Sequence, residues 1–164
     1  MLFRLPMRNR TQMNAPLHEV LVLVEDNHAV LSALKLAFEV EGFDVRAFGD
    51  GESLLAEPDL PARGCLVVDY KLPGMNGLEA LQALRRRGVA LPAVLITTLT
   101  PVVLAVAAAA NVPVVGKPLQ NDNLLDKVRE LLAAADQAPS EAQAPAGDSG
   151  VRLTPINPRD PRAT

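Results

Sequence analysis

The chain has no Trp, one Tyr and four Phe, so its interior cannot rest on aromatic packing. With 49% hydrophobic residues, the core has to be aliphatic, built from Val, Leu and Ala. It has a single cysteine, Cys65, which excludes an internal disulfide and fits a reducing cytoplasm. Cys65 lies inside an apolar strand and reads as a small core residue. A basic stripe is also missing. Between Asn14 and Ala135 there are 10 basic and 15 acidic residues, a net charge of −5, which argues against direct nucleic-acid binding. The uncharged stretch Thr98 to Gly116 is interrupted by Pro101, Asn111 and Pro113 and is not read as a membrane span. No apolar segment of signal-peptide type follows Arg4, Arg8 and Arg10, so no targeting signal is read there.

With 164 residues the chain fits one domain plus tails. Residues 1–17 are expected to be a disordered lead-in, with Met13 as an alternative start. Residues 18–135 are expected to form the domain, and 136–164, rich in Ala and Pro, a disordered tail. No second module is read, so any output is expected to act through the surface of one domain. From Val20 on, strand and helix patterns alternate, which predicts an α/β fold with a parallel sheet. Helices are expected over 29–41, 51–57, 77–87, 101–110 and 121–135. Arg85, Arg86 and Arg87 read as a solvated cap suited to the helix dipole.

Four of the apolar strands end on residues suited to phosphoryl transfer. Val20–Val24 ends on Glu25-Asp26, Cys65–Val68 on Asp69, Ala93–Ile96 on Thr97, and Val112–Gly116 on Lys117-Pro118. The carboxyl ends of parallel strands share one edge, where ligands bind. Three acids, a hydroxyl and an ammonium are therefore expected in one pocket. That set suits Mg²⁺ and a phosphoryl group, with Asp69 as acceptor.

Taken together, Val22 to Asn27, Val67 to Gly77, Leu95 to Thr97 and Val115 to Pro118 resemble the receiver domain of bacterial two-component response regulators, over about Glu19 to Ala135. The resemblance implies a doubly wound, flavodoxin-like five-stranded sheet of order 2-1-3-4-5. It implies that Asp69 accepts a phosphoryl group from a histidine kinase or histidine phosphotransfer protein in a phosphorelay. It implies Mg²⁺ as cofactor, held by Glu25, Asp26, Asp69 and the backbone carbonyl of Lys71. Lys117 would pair with a phosphoryl oxygen and Thr97 would hydrogen-bond one, with the Lys117-Pro118 bond cis. The protein would then be a stand-alone cytoplasmic signalling domain rather than an enzyme, with self-phosphorylation and dephosphorylation chemistry of its own. Asn76 and Gly77 are expected to form the loop and cap the helix that follows.

The chain departs from the family pattern in several places. Glu25 stands where Asp is commoner, Lys71 lies at a position thought to tune phosphoryl lifetime, and Thr98 is larger than usual. The Thr97–Lys117 stretch is about two residues shorter than is common. Val114 replaces the aromatic residue that often reports activation, so another signal path is needed. The helix over 101–110 is apolar on every face, which points to burial or an interface, with a homodimer through it and the strand that follows as one form. A phosphorylation-independent pseudo-receiver is an alternative. An aspartyl phosphatase is another, although Lys71 occupies the place where such hydrolases carry an acid/base Asp.

Overall fold

The structure, a computed structural model, describes residues 18–138. Strands β1 (Val20–Val24), β2 (Asp44–Phe48), β3 (Cys65–Asp69), β4 (Ala93–Thr97) and β5 (Val114–Gly116) alternate with five helices. These are α1 (His28–Val40), α2 (Gly51–Ala56), α3 (Gly77–Arg86), α4 (Pro101–Ala109) and α5 (Asn121–Gln137). The strands form one parallel sheet of order β2-β1-β3-β4-β5. This is the expected order.

Successive side chains of a strand point to opposite faces, and both faces here are covered by helices. Leu21, Leu23, Cys65, Val67, Val94 and Ile96 therefore pack with Leu34 and Phe38 of α1 and Leu124, Val128 and Leu132 of α5. The alternate residues Val22, Val24, Leu66, Val68 and Leu95 pack with Leu54 of α2, Leu78, Leu81 and Leu84 of α3 and Ala107 of α4. Cys65 sits inside the first of these layers as a core residue. Among the described residues one aromatic pair, Phe38 against Phe43, meets edge to face with ring centroids 5.7 Å apart.

Three local features differ from the sequence reading. The last strand begins at Val114 rather than Val112, because Pro113 has no N–H to donate; its carbonyl still accepts from Leu95 N–H at 2.9 Å. Helix α5 runs through Asp136 and Gln137, which were expected in the tail. The rest of that tail and the lead-in 1–17 lie outside the described residues. The arginines at the end of α3 do more than solvate it. Arg85 donates to the carbonyls of Val89 (2.6 Å) and Leu91 (2.5 Å), pinning the turn into β4, and Arg87 donates to the carbonyl of Leu55 in α2. Among the described residues no helix is long and apolar enough to cross a membrane.

Candidate functional site

Among the described residues, three polar or charged side chains are buried: Glu25, Asp69 and Thr97. All three stand at the carboxyl edge of the sheet, just after β1, at the end of β3 and at the end of β4. An edge that buries two carboxylates has to hold them with donors. Asp69 Oδ1 accepts from the Lys71 backbone N–H at 3.0 Å, and Oδ2 from Lys117 Nζ at 2.8 Å. Glu25 Oε1 accepts from the Asn27 backbone N–H at 3.1 Å, and Oε2 from the same Lys117 ammonium at 3.1 Å. One ammonium thus spans two acids from two different strands. Asp26 is exposed beside them, and one oxygen from each of Glu25, Asp26 and Asp69 lies within 4.8 Å of the others.

Local sequence explains how the backbone delivers these groups. Asn27 caps α1, its side-chain oxygen accepting from Ala29 and Val30 N–H, while its own N–H fixes Glu25. Gly77 opens α3 directly beneath β3. A Cβ there would lie 2.2 Å from the Asp69 carbonyl oxygen, so only glycine lets the helix start this close to the acid. Asn76 and Glu79 form a capping box around that start. Lys117 is placed by the β5 end, its N–H donating to the Thr97 carbonyl at 2.8 Å, and Lys117-Pro118 is cis as expected. The Thr97 hydroxyl is turned toward its own loop, donating to the Thr98 carbonyl at 3.3 Å.

The electrostatics follow from this crowding. Burial pushes the Glu25 carboxyl above its ordinary range; the Asn27 N–H and Lys117 pull it back only in part, and the Asp69 charge pushes it up again. Burial disfavours the Lys117 ammonium, but its hydrogen bonds to Asp69 and then Glu25 outweigh that and hold its pKa above the usual value. Three carboxylates face one ammonium, so the cluster carries an uncompensated negative charge. Hard oxygen donors with excess charge fit a divalent cation such as Mg²⁺.

Of the side chains expected at the site, the structure brings Glu25, Asp26, Asp69 and Lys117 together, while Thr97 stands at the same sheet edge with its hydroxyl on the Thr98 carbonyl. Sequence reasoning missed the Lys117–Glu25 pair, for which no local pattern exists across 92 positions. It also missed the hold of Asn27 on Glu25, which the Glu-Asp-Asn order before a helix start would have suggested.

Comparison with known proteins bears on the family and the fold. The family profile described as the response regulator receiver domain matches residues 21–129. The chain is 31% identical over 125 residues to the response regulator protein TodT of Pseudomonas putida, covering 75% of this chain and 55% of that protein. It is 32% identical over 126 residues to the C4-dicarboxylate transport transcriptional regulatory protein DctR of Rhodobacter capsulatus, covering 74% of this chain and 64% of that protein. The chain thus spans roughly half to two-thirds of these relatives. Among solved structures, a CheY-like receiver domain protein from Methanospirillum hungatei superposes with a TM-score of 0.65 at 26% identity, over 73% of this chain and 97% of that one. The chemotaxis protein CheY4 of Vibrio cholerae shares the fold, with a TM-score of 0.65 at 22% identity over 70% of this chain and 99% of that one.

Proposed function

The chain belongs to the response-regulator receiver family of two-component systems, and we propose that Asp69 accepts its phosphoryl group from a phosphohistidine of a kinase or phosphotransfer protein. The observation that carries this reading is the Asp69 carboxylate itself. It is buried at a strand end, held by Lys71 N–H and Lys117 Nζ, and flanked by two further acids. A carboxylate oxygen of Asp69 bonds to phosphorus as the P–N bond to imidazole breaks. The imidazole nitrogen keeps the electron pair, and an acyl phosphate results. Lys117, already spanning Asp69 and Glu25, is in reach of a phosphoryl oxygen. Thr97 exchanges its bond to the Thr98 carbonyl for another such oxygen.

Glu25, Asp26, Asp69 and the Lys71 backbone carbonyl would hold Mg²⁺, which when bound neutralises charge on the acids and the transferred group. The domain is taken as residues 18–135, acting in the cytoplasm as a signalling module rather than a turnover enzyme. Its output is contact with another protein, with self-association through α4 and β5 as one form, and no nucleic acid or membrane is bound directly.

Acetyl phosphate with Mg²⁺ should add one phosphoryl group by intact mass. Asp69→Asn and EDTA should each abolish the addition. A labelled Asp69→Asn protein would overturn the assignment.

A further inference from the structure

A receiver has to convey the state of its acid to a surface, and the aromatic side chain that often does so is here Val114. Val114 packs into the aliphatic layer with α3 and α4 and has no ring to swing. A different contact stands next to the site. Leu99 lies two residues beyond Thr97, in the loop that leads into α4. Its side chain fills the space above Gly116, the last residue of β5. A Cβ built on Gly116 would stand 2.7 Å from Leu99 Cδ1 and 2.8 Å from Cγ. Gly116 is not among the glycines with positive φ, so the backbone does not require glycine there. A side chain there would instead have to displace Leu99 from its seat.

The Leu99–Gly116 contact sits between the two groups that a phosphoryl group would pull. Gly116 immediately precedes Lys117, and Lys117 N–H is tied to the Thr97 carbonyl at 2.8 Å. The Thr97 hydroxyl is bonded to the Thr98 carbonyl, one residue before Leu99. On the far side, Thr100 caps α4 by accepting from Val103 N–H at 3.3 Å, so Leu99 is the residue next to a fixed helix start. Leu99 is 51% exposed, and Val102, Leu104 and Val106 of α4 are exposed as well.

We propose that Leu99, seated on Gly116, is the positioning residue through which the state of Asp69 reaches helix α4, in place of an aromatic switch. This rests on the phosphorylation of Asp69 proposed above. When the Thr97 hydroxyl turns to a phosphoryl oxygen, the Thr98 carbonyl loses its donor and the Thr97–Leu99 backbone is released. Leu99 then leaves the Gly116 notch, and the start of α4 moves with it.

The test is hydrogen exchange on the full chain, with Mg²⁺ and with or without beryllofluoride, for wild type, Leu99→Ala, Leu99→Ile and Gly116→Ala. Uptake is followed separately, by acetyl-phosphate labelling and by emission of Tyr70, the lone Tyr in a chain without Trp. In wild type, beryllofluoride should change exchange of amides 98–110 by about fivefold or more. Leu99→Ala and Gly116→Ala should still take up the phosphoryl group within about twofold of wild type, yet lose that change; Leu99→Ile should keep it. A merely structural role would shift both states equally and leave the difference intact. That result in both variants, with normal uptake, overturns the proposal. A wild-type protein that takes up no phosphoryl group overturns the reading of Asp69 instead, and this coupling with it.

Discussion

At the scale of single residues, Glu25 is held at a cost. It is buried, its neighbour Asp69 carries the same charge, and one ammonium serves both. Glu25→Gln keeps the acceptor for Asn27 N–H and leaves Lys117 paired with Asp69 alone. Without Mg²⁺ the variant should be more stable than wild type, by about 1–2 kcal/mol, since replacing one buried like charge relieves repulsion. Its Mg²⁺ affinity should fall by about tenfold or more, because one hard anionic ligand is gone. Thermal melts with and without Mg²⁺ measure both, and a variant that melts lower in both conditions would show that Glu25 is a structural anchor. Cys65 gives a second test. Burial pushes its thiol from 9.0 up to about 12, with Glu19 adding a smaller push. As pH rises above 9.0 the unfolded chain loses this proton while the folded chain keeps it, so the contribution is complete below that pH and declines above it. The loss should approach about 1.4 kcal/mol per pH unit. Urea midpoints of wild type and Cys65→Val should therefore diverge at pH 10–11, with wild type the more alkali-sensitive; parallel curves would refute the burial argument.

At the scale of elements, the fold was legible wherever burial imposed a period. β1, β3, β4 and β5 read as apolar runs, β1, β3 and β4 because both their faces are covered, whereas the edge strand β2 carries exposed Asp44 and Arg46. Leu78, Leu81 and Leu84 fell on the buried face of α3 as their spacing indicated. Helix α4 was illegible for the opposite reason. Its Val and Ala residues give no contrast, and only the structure shows that Val103 and Ala107 face inward while Val102, Leu104 and Val106 face solvent. The helix is neither fully buried nor amphipathic. Leu36 and Val40 of α1 are likewise exposed although the helix is otherwise well patterned. The site acids were legible because strand ends in a parallel sheet meet by topology. The Arg85 and Arg87 bonds to carbonyls were not, because a guanidinium at a helix end has no sequence pattern that names its acceptor. Helix α4 also carries the test of self-association. Fully covering one such Val or Leu contributes about 1.5–3 kcal/mol before the cost of association, and a micromolar contact is near −8 kcal/mol, so a dimer through α4 needs β5 and the neighbouring surface as well. Beryllofluoride-loaded wild type should sediment as a dimer at tens of micromolar, and Val102→Glu or Leu104→Glu should return it to monomer. A monomer under every condition removes the homodimer.

At the scale of the whole molecule, the described residues separate a stable frame from a strained edge. The two aliphatic layers run through all five strands, and the acidic cluster sits at the ends of two of them, β1 and β3. Mg²⁺ at the proposed site would bind only the folded chain, because the unfolded chain does not bring the three acids together, so it should raise stability by linkage. At ten times the dissociation constant the gain is about 1.4 kcal/mol, which for a domain of this size moves the melting temperature by roughly 4 °C. Asp26 is exposed and outside the Lys117 bridge, so Asp26→Ala should leave the Mg²⁺-free melting temperature within about 1 °C of wild type and abolish the Mg²⁺-dependent rise. A fragment of residues 18–138 contains both layers and all the site residues, so it should show the same Mg²⁺-dependent rise as the full chain. Full-chain and fragment melts in a Mg²⁺ titration, with Ca²⁺ as a competitor of different coordination, check this. A rise that survives in Asp26→Ala would place the cation away from the three acids. A rise in the full chain but not in the fragment would show that segments outside 18–138 complete the site.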